Sequence, residues 1–410
     1  MTCPVRSTPA SASRLHARIG SRRWVLSLAA LTGTTALSID MSLPAQPTLV
    51  RELSVSPAVA QLTLALFLAG FVVGQLCAGF LSDALGRRRV LLAGLAVFTL
   101  AGIACAATSS IELLLAARVA QGLGSAASPT IARAMVRDTQ PAAGAARMLS
   151  TIMAVLALAP MLAPMLGGLL LAVFAWQAIF VMLAAIGVVL AAIAAFTLPE
   201  TLPPERRVAL SLGAILGGFA QFFRARGTRV PTLLVCLSFA GQFAFISVCP
   251  SVLIDRFGVA SSNFGFYFAA VALALMAGSI TGRRWLAQRP PARVLAAGAL
   301  TLCAGGLLVA LGVHLPALGR FGLVVPALVY FFGIGLTSPS ATAIAMQPVP
   351  QIVGAASAMI GALTMVSGAI SGFFTTHVGG DDPRTVGFVM GGVGLVAAII
   401  VLRAKLGAAP

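Results

Sequence analysis

Apolar stretches alternate with short polar breaks along nearly the whole chain, and few carry the opposing polar face that a helix packed on a soluble core needs. Stretches of the roughly 20 residues that cross a bilayer as an α-helix run over 25–43, 59–81, 90–108, 111–131, 148–173 and 176–198. After a more polar interval they resume over 231–254, 264–286, 294–313, 321–346, 353–376 and 386–402. The pattern predicts an all-α membrane protein with 12 transmembrane helices in two six-helix bundles. The predicted organisation is a tail 1–24, a first bundle 25–198, a linker 199–230, a second bundle 231–402 and a tail 403–410. Within the linker, Leu212, Ile215, Leu216, Phe219, Phe222 and Phe223 form a helical stripe too short to span, followed by basic residues. It reads as an amphipathic helix at the membrane surface, with a plain linker helix as the alternative.

The charges test this frame, because an error of one span would scramble them. With the N-terminus inside, the inner side collects 22 cationic residues: the tail from Arg6 to Arg23, then Arg87–Arg89, Arg133, Arg137, Arg147, the linker arginines, Arg283, Arg284, Arg289, Arg293, Arg403 and Lys405. The outer side holds 4, Arg51, Arg256, Arg320 and Arg384. This is the positive-inside distribution of a protein with both termini cytoplasmic. Ser21-Arg22-Arg23-Trp24 imitates a twin-arginine export signal, but its removal would invert the charge balance of every later loop; a retained cytoplasmic tail is expected.

Composition then excludes most other classes. Of 410 residues 59% are hydrophobic and 9% charged, which a soluble domain could not hide. The net charge of +17 would suggest nucleic acid in a soluble protein, but here it is an insertion code, and no nucleic-acid partner is expected. The single lysine, Lys405, precedes Leu406, so no phosphate-binding GK[ST] loop exists. Six scattered cysteines read as small core residues, and His16, His314 and His377 fall in the tail or outer loops. No cofactor, metal or catalytic constellation is expected, and the chain is read as moving something rather than converting it.

Scarcity makes the acids informative. Only ten exist, and Asp40 alone falls well inside a span, about 22 Å from the inner surface at 1.5 Å per residue. An intramembrane carboxylate is a functional candidate by default, with a partner expected. Arg118, the one basic residue within a span, lies at similar depth, and the pair is expected to carry proton coupling; a static pair locking two helices is the alternative. Substrate contacts are expected from Met41, Phe71, Gln75, Gln242, Phe243 and Tyr267, by their positions in spans one, two, seven and eight.

Three segments resemble a known family. Gly79-Phe80-Leu81-Ser82-Asp83-Ala84-Leu85-Gly86-Arg87-Arg88-Arg89 resembles the GxxxDxxGRR signature of the major facilitator superfamily, in the loop between spans two and three where that family carries it. Its second-half copy is reduced to Gly278, Gly282, Arg283 and Arg284. Arg118-Val119-Ala120-Gln121-Gly122-Leu123-Gly124 is similar to the helix-four RxxQGxG pattern of proton-coupled members. Ala159-Pro160-Met161-Leu162-Ala163-Pro164-Met165-Leu166-Gly167-Gly168 is similar to the helix-five antiporter motif, in the form of the Bcr/CflA branch that exports bicyclomycin and chloramphenicol. Residues 39–44 and 354–358 resemble that branch too. The resemblance implies the two-bundle, pseudo-symmetric major facilitator fold, alternating access, a gate at Gly79, Asp83, Gly86, Arg87 and Arg88, and drug:proton antiport as a monomer in the inner membrane. The residues themselves leave open a dedicated exporter of one metabolite, of the sugar or siderophore class, and an uncoupled facilitator.

Overall fold

Prolines and glycines, more than polar residues, decide where these helices stop. The computed structural model describes residues 19–156, 158–207, 212–380 and 382–404; the predicted N-terminal tail up to residue 18, Lys405 and residues 208–211 of the linker lie outside them. Helix α1 (Arg22–Asp40) starts at Ser21, whose hydroxyl accepts from the Trp24 N–H. It ends at Asp40 because Pro44 has no N–H to offer the Asp40 carbonyl and its ring crowds that oxygen. The chain passes through a 3-10 turn, Leu43–Ala45, and resumes as α2 (Gln46–Glu52). The first span is thus the 31-residue unit Arg22–Glu52, broken beyond its midpoint.

Helices α3 (Pro57–Leu85) and α4 (Arg87–Ala107) meet at Gly86, whose φ of +100° only glycine adopts cheaply. Span four is α5 (Ile111–Ser125) and α6 (Ala127–Thr139), interrupted where Pro129 leaves the Ser125 carbonyl without its donor. Span five is α7 (Ala142–Leu156) and α8 (Ala159–Val173), interrupted four residues before Pro160. The sixth is α9 (Gln177–Thr197). Ten helices among the described residues are long and apolar enough to cross a membrane; spans four and five complete the twelve, each divided by a proline.

The linker contains α10 (Leu212–Arg224), and span seven, α11, covers Arg226–Ser251. Its start lies five residues before the hydropathic boundary, because a backbone helix ignores the arginines that end an apolar window. Thr228 donates to the Phe222 carbonyl at 2.9 Å and Arg229 to that of Phe223 at 3.0 Å, so span seven caps the end of α10. Phe222 is buried against Leu234 and Val235, whereas Phe223 is exposed. Helix α10 is therefore docked on the second bundle by one edge. After Pro250 comes a π-helical turn, Val252–Arg256, then α12 (Ser261–Leu286), α13 (Pro291–Gly312), α14 (Phe321–Met346), α15 (Val353–Gly379) and α16 (Pro383–Arg403).

The twelve spans form two six-helix bundles. In the first, α3 packs along α5, and α4 along α5 and α9; in the second, α13 packs along α14 and α16, and α11 along α14 and α15. Their pseudo-symmetry shows in spans one and seven, which are both 31 residues long, Arg22–Glu52 and Arg226–Arg256, and both irregular near the same end. Between bundles, α8 lies on α12 and α3 on α15. The closest approaches fall towards the face opposite the Arg87 loop: Gly168 abuts the Ser261 carbonyl, Gly265 abuts Met165, and Gly372 abuts the Gln61 amide. A shared core of Ile39, Leu43, Leu64 and Phe67 from the first bundle with Phe243, Ile246 and Phe264 from the second seals that face. On the Arg87 face, α7 packs mainly on α1 and α6 of its own bundle. Among the described residues the close contacts between bundles gather on the face opposite the Arg87 loop.

Candidate functional site

Asp40 is the last residue of α1, 6% exposed, at the point where the helical ladder stops. Among the described residues no hydrogen bond or ion pair reaches its carboxylate. The expected direct pair with Arg118 is not formed. Arg118, fully buried, instead donates from Nε to the Thr63 carbonyl at 3.0 Å, from Nη1 to Gln121 Oε1 at 2.7 Å and from Nη2 to the Ser38 carbonyl at 3.4 Å. Its guanidinium also lies 4.4 Å from the centre of the Phe67 ring. The physical reason is satisfaction: the fork of the guanidinium is filled by two backbone carbonyls and an amide. Arg118 still meets the helix of Asp40, two residues earlier.

Gln121 and Gly122 follow from the same helix, α5. Gln121 holds Arg118, and Gly122 faces the Phe67 carbonyl of α3, so that a side chain there would drive the two helices apart. In the helix-five motif Pro160 opens α8, Pro164 lies within it, and the two glycines look in different directions. Gly167 abuts the Met41 carbonyl and Pro44 at the break in span one, whereas Gly168 abuts Ser261 in the other bundle. One turn of α8 therefore touches both the helix of the buried acid and the opposite bundle.

At the Arg87 loop, Arg87 donates to Asp83, to the Ser82 hydroxyl at 2.8 Å and to Asp138 at 2.8 Å. Arg88 donates to the Ala195 carbonyl at 2.6 Å. Glu200 accepts the Arg87 and Arg88 N–H groups at 2.8 and 3.2 Å, satisfying the first turn of α4. Gly79 has open space around it. Asp138 and Glu200 escaped the sequence reading; both lie far from the loop in the chain, and no local pattern announces a partner brought in by folding.

Of the expected substrate contacts, Met41 is fully buried, Phe71 lines α3, and Phe243 is stacked on Phe239 and faces Gly368. Gln75 faces Gly361 across the two bundles. Among the described residues the amide oxygens of Gln75 and Gln242 are both buried without a partner. Tyr267 stands apart, beside Arg320 near the closed face. Two further ties between bundles were not foreseen. Gln61 donates to Ser247 at 2.6 Å, and Arg51 pairs with Asp255 at 3.0 Å; the last two occupy equivalent places at the ends of spans one and seven.

Residues 28–372 match the Major Facilitator Superfamily. Over 395 residues the chain is 34% identical to the "Uncharacterized MFS-type transporter YdgK" of Bacillus subtilis, covering 94% of this chain and 96% of that one. It is 29% identical to the bicyclomycin resistance protein homolog of Haemophilus influenzae, covering 92% and 94%, and 30% identical to a chloramphenicol resistance protein of Pseudomonas aeruginosa, covering 92% and 83%. The fold is similar to that of the nucleoside transporter NupG, with a TM-score of 0.77 at 16% identity over 93% of this chain and 100% of that one.

Proposed function

The chain belongs to the major facilitator superfamily, and on that premise we propose that it is a proton-coupled exporter of small, moderately hydrophobic drugs, of the bicyclomycin and chloramphenicol class. It is a multi-pass membrane transporter and not an enzyme. The observation that carries the proton coupling is Asp40, buried at a helix break without a counter-ion among the described residues. An ionised carboxylate without a partner is costly inside a membrane, which makes Asp40 the group suited to take up and release a proton during the transport cycle. The longest of the Arg118 bonds, 3.4 Å to the Ser38 carbonyl, is the one that ionisation of Asp40 would redirect, tying proton release to the fit of α1 against α5.

The protein works as a monomer with both termini in the cytoplasm, and the Arg87 face is then the inward-open side. Drug enters there and meets Phe71, Gln75, Gln242 and Phe243, with the two amide oxygens, unpartnered among the described residues, available to a donor on the drug; Met41 is enclosed within the first bundle and supports the site from behind. One proton moving inward against a neutral drug supplies about 2.3 kcal/mol per 100 mV, which sustains a gradient of roughly fifty-fold. One buried acid is enough for useful efflux.

The test is a susceptibility panel in an efflux-deficient host, wild type beside Asp40→Asn, with drug accumulation measured with and without an uncoupler. Resistance should vanish in the variant and with the uncoupler. Resistance indifferent to both would overturn the coupling, and protection against one compound only would favour a dedicated exporter.

A further inference from the structure

The loop signature of the first bundle is internally neutralised: Arg87 is held by Asp83 and Asp138, and Glu200 accepts the backbone donors beside it. Its copy in the second bundle has no such answer. Arg283, Arg284, Arg289 and Arg293 lie at the α12–α13 turn, on the same face as Arg87, and all four are exposed. From Arg206 onward the sequence contains three carboxylate side chains, Asp255, Asp381 and Asp382; Asp255 and Asp382 lie at the opposite ends of the spans, and Asp381 is outside the described residues. Among the described residues the second bundle therefore has no acidic side chain on this face. Trp285 sits among the arginines, half-buried, with the Arg289 guanidinium 4.6 Å from its ring centre, an amphipathic anchor at the level of lipid headgroups.

We propose that Arg283, Arg284, Arg289 and Arg293 form a docking surface for the phosphate headgroup of an anionic phospholipid, which supplies the charges that Asp83, Asp138 and Glu200 supply in the first bundle. Four exposed arginines flank one short turn between two spans, the end of the molecule that positive-inside insertion sets against the inner headgroup layer; guanidinium matches phosphate by paired donors, and each basic residue near an anionic membrane surface adds measurably to the attraction. The proposal rests on the membrane fold alone and not on the identity of any drug.

The full-length protein is reconstituted in vesicles containing phosphatidylglycerol or phosphatidylcholine brominated near the headgroup, and Trp285 quenching is read as the difference from Trp285→Phe. Trp24 and Trp176 are buried, which keeps that difference clean. Phosphatidylglycerol should compete for the site with a preference on the order of tenfold, weakened by salt. Replacing all four arginines by glutamine should reduce it below about twofold. Because that variant also alters the insertion code, a second one keeps the arginines and adds carboxylates, Ala287→Asp with Gln288→Glu; acids contribute little to topology, and this variant should lose the preference equally. Equal quenching by both lipids in the wild type, or a preference unchanged in the acidic variant, overturns the proposal. So does displacement by inorganic phosphate added to the buffer, which would mark a free-anion site instead.

Discussion

Arg118 spreads three donors over three acceptors from α1, α3 and its own helix, and a point charge cannot do the same. Arg118→Lys is expected to lose at least one of these charged bonds, each worth about 1.5–3 kcal/mol, and to cut proton-driven efflux at least about tenfold. Transport assays in vesicles with an imposed pH gradient, beside thermal unfolding in detergent, check both parts. Wild-type efflux in this variant would mean that Arg118 is a spacer and not a coupling element. The residues were visible in the sequence because charge inside a span is rare. Their relation was not: adjacency in depth says nothing of which acceptors a guanidinium finds, and here the backbone carbonyls won.

At the scale of the element, close approach and open space make opposite forecasts for two motif glycines. A methyl at Gly122 would meet the Phe67 carbonyl of α3, and such overpacking costs about 1–3 kcal/mol. Gly122→Ala is thus expected to lower the unfolding temperature by a few degrees, since the shift of about 2–4 °C per kcal/mol for 150–250 residues shrinks as the chain lengthens. Gly79→Ala meets nothing in this state and should unfold like the wild type while still slowing transport if the bundles close there. Equal unfolding of the two variants would contradict the packing described. Glu200→Ala exposes the first N–H groups of α4 and should cost about 1 kcal/mol, as loss of a helix cap does; chemical denaturation with a probe on α4 would read it.

For the whole molecule, the equilibrium between closed and open faces is set by which ties between bundles hold. The Arg51–Asp255 pair is exposed, so about 1 kcal/mol at most is expected from it, whereas Gln61 and Ser247 are buried and bonded at 2.6 Å. Cutting the latter strands a buried hydroxyl or amide, at about 1–3 kcal/mol. Gln61→Ala should therefore open the closed face more than Arg51→Ala does. Thiol labelling of a cysteine placed at Ser261, beside Gly168, follows this; a larger effect from Arg51→Ala would reverse the assignment of the main tie.

The sequence alone determined the membrane class, twelve spans, their alternating direction, the buried acid and base and the three motif segments, because hydropathy, charge sidedness and proline and glycine placement act locally along one helix. Even the break at Asp40 was legible in principle, since Pro44 stands four residues on. Only the tertiary structure decided that Arg118 holds Ser38 and not Asp40, that Asp138 and Glu200 complete the Arg87 loop, and that Gly168 faces the other bundle. Those contacts join residues up to more than a hundred positions apart, and a side chain's partner is settled by which helices pack together, a property no single span contains.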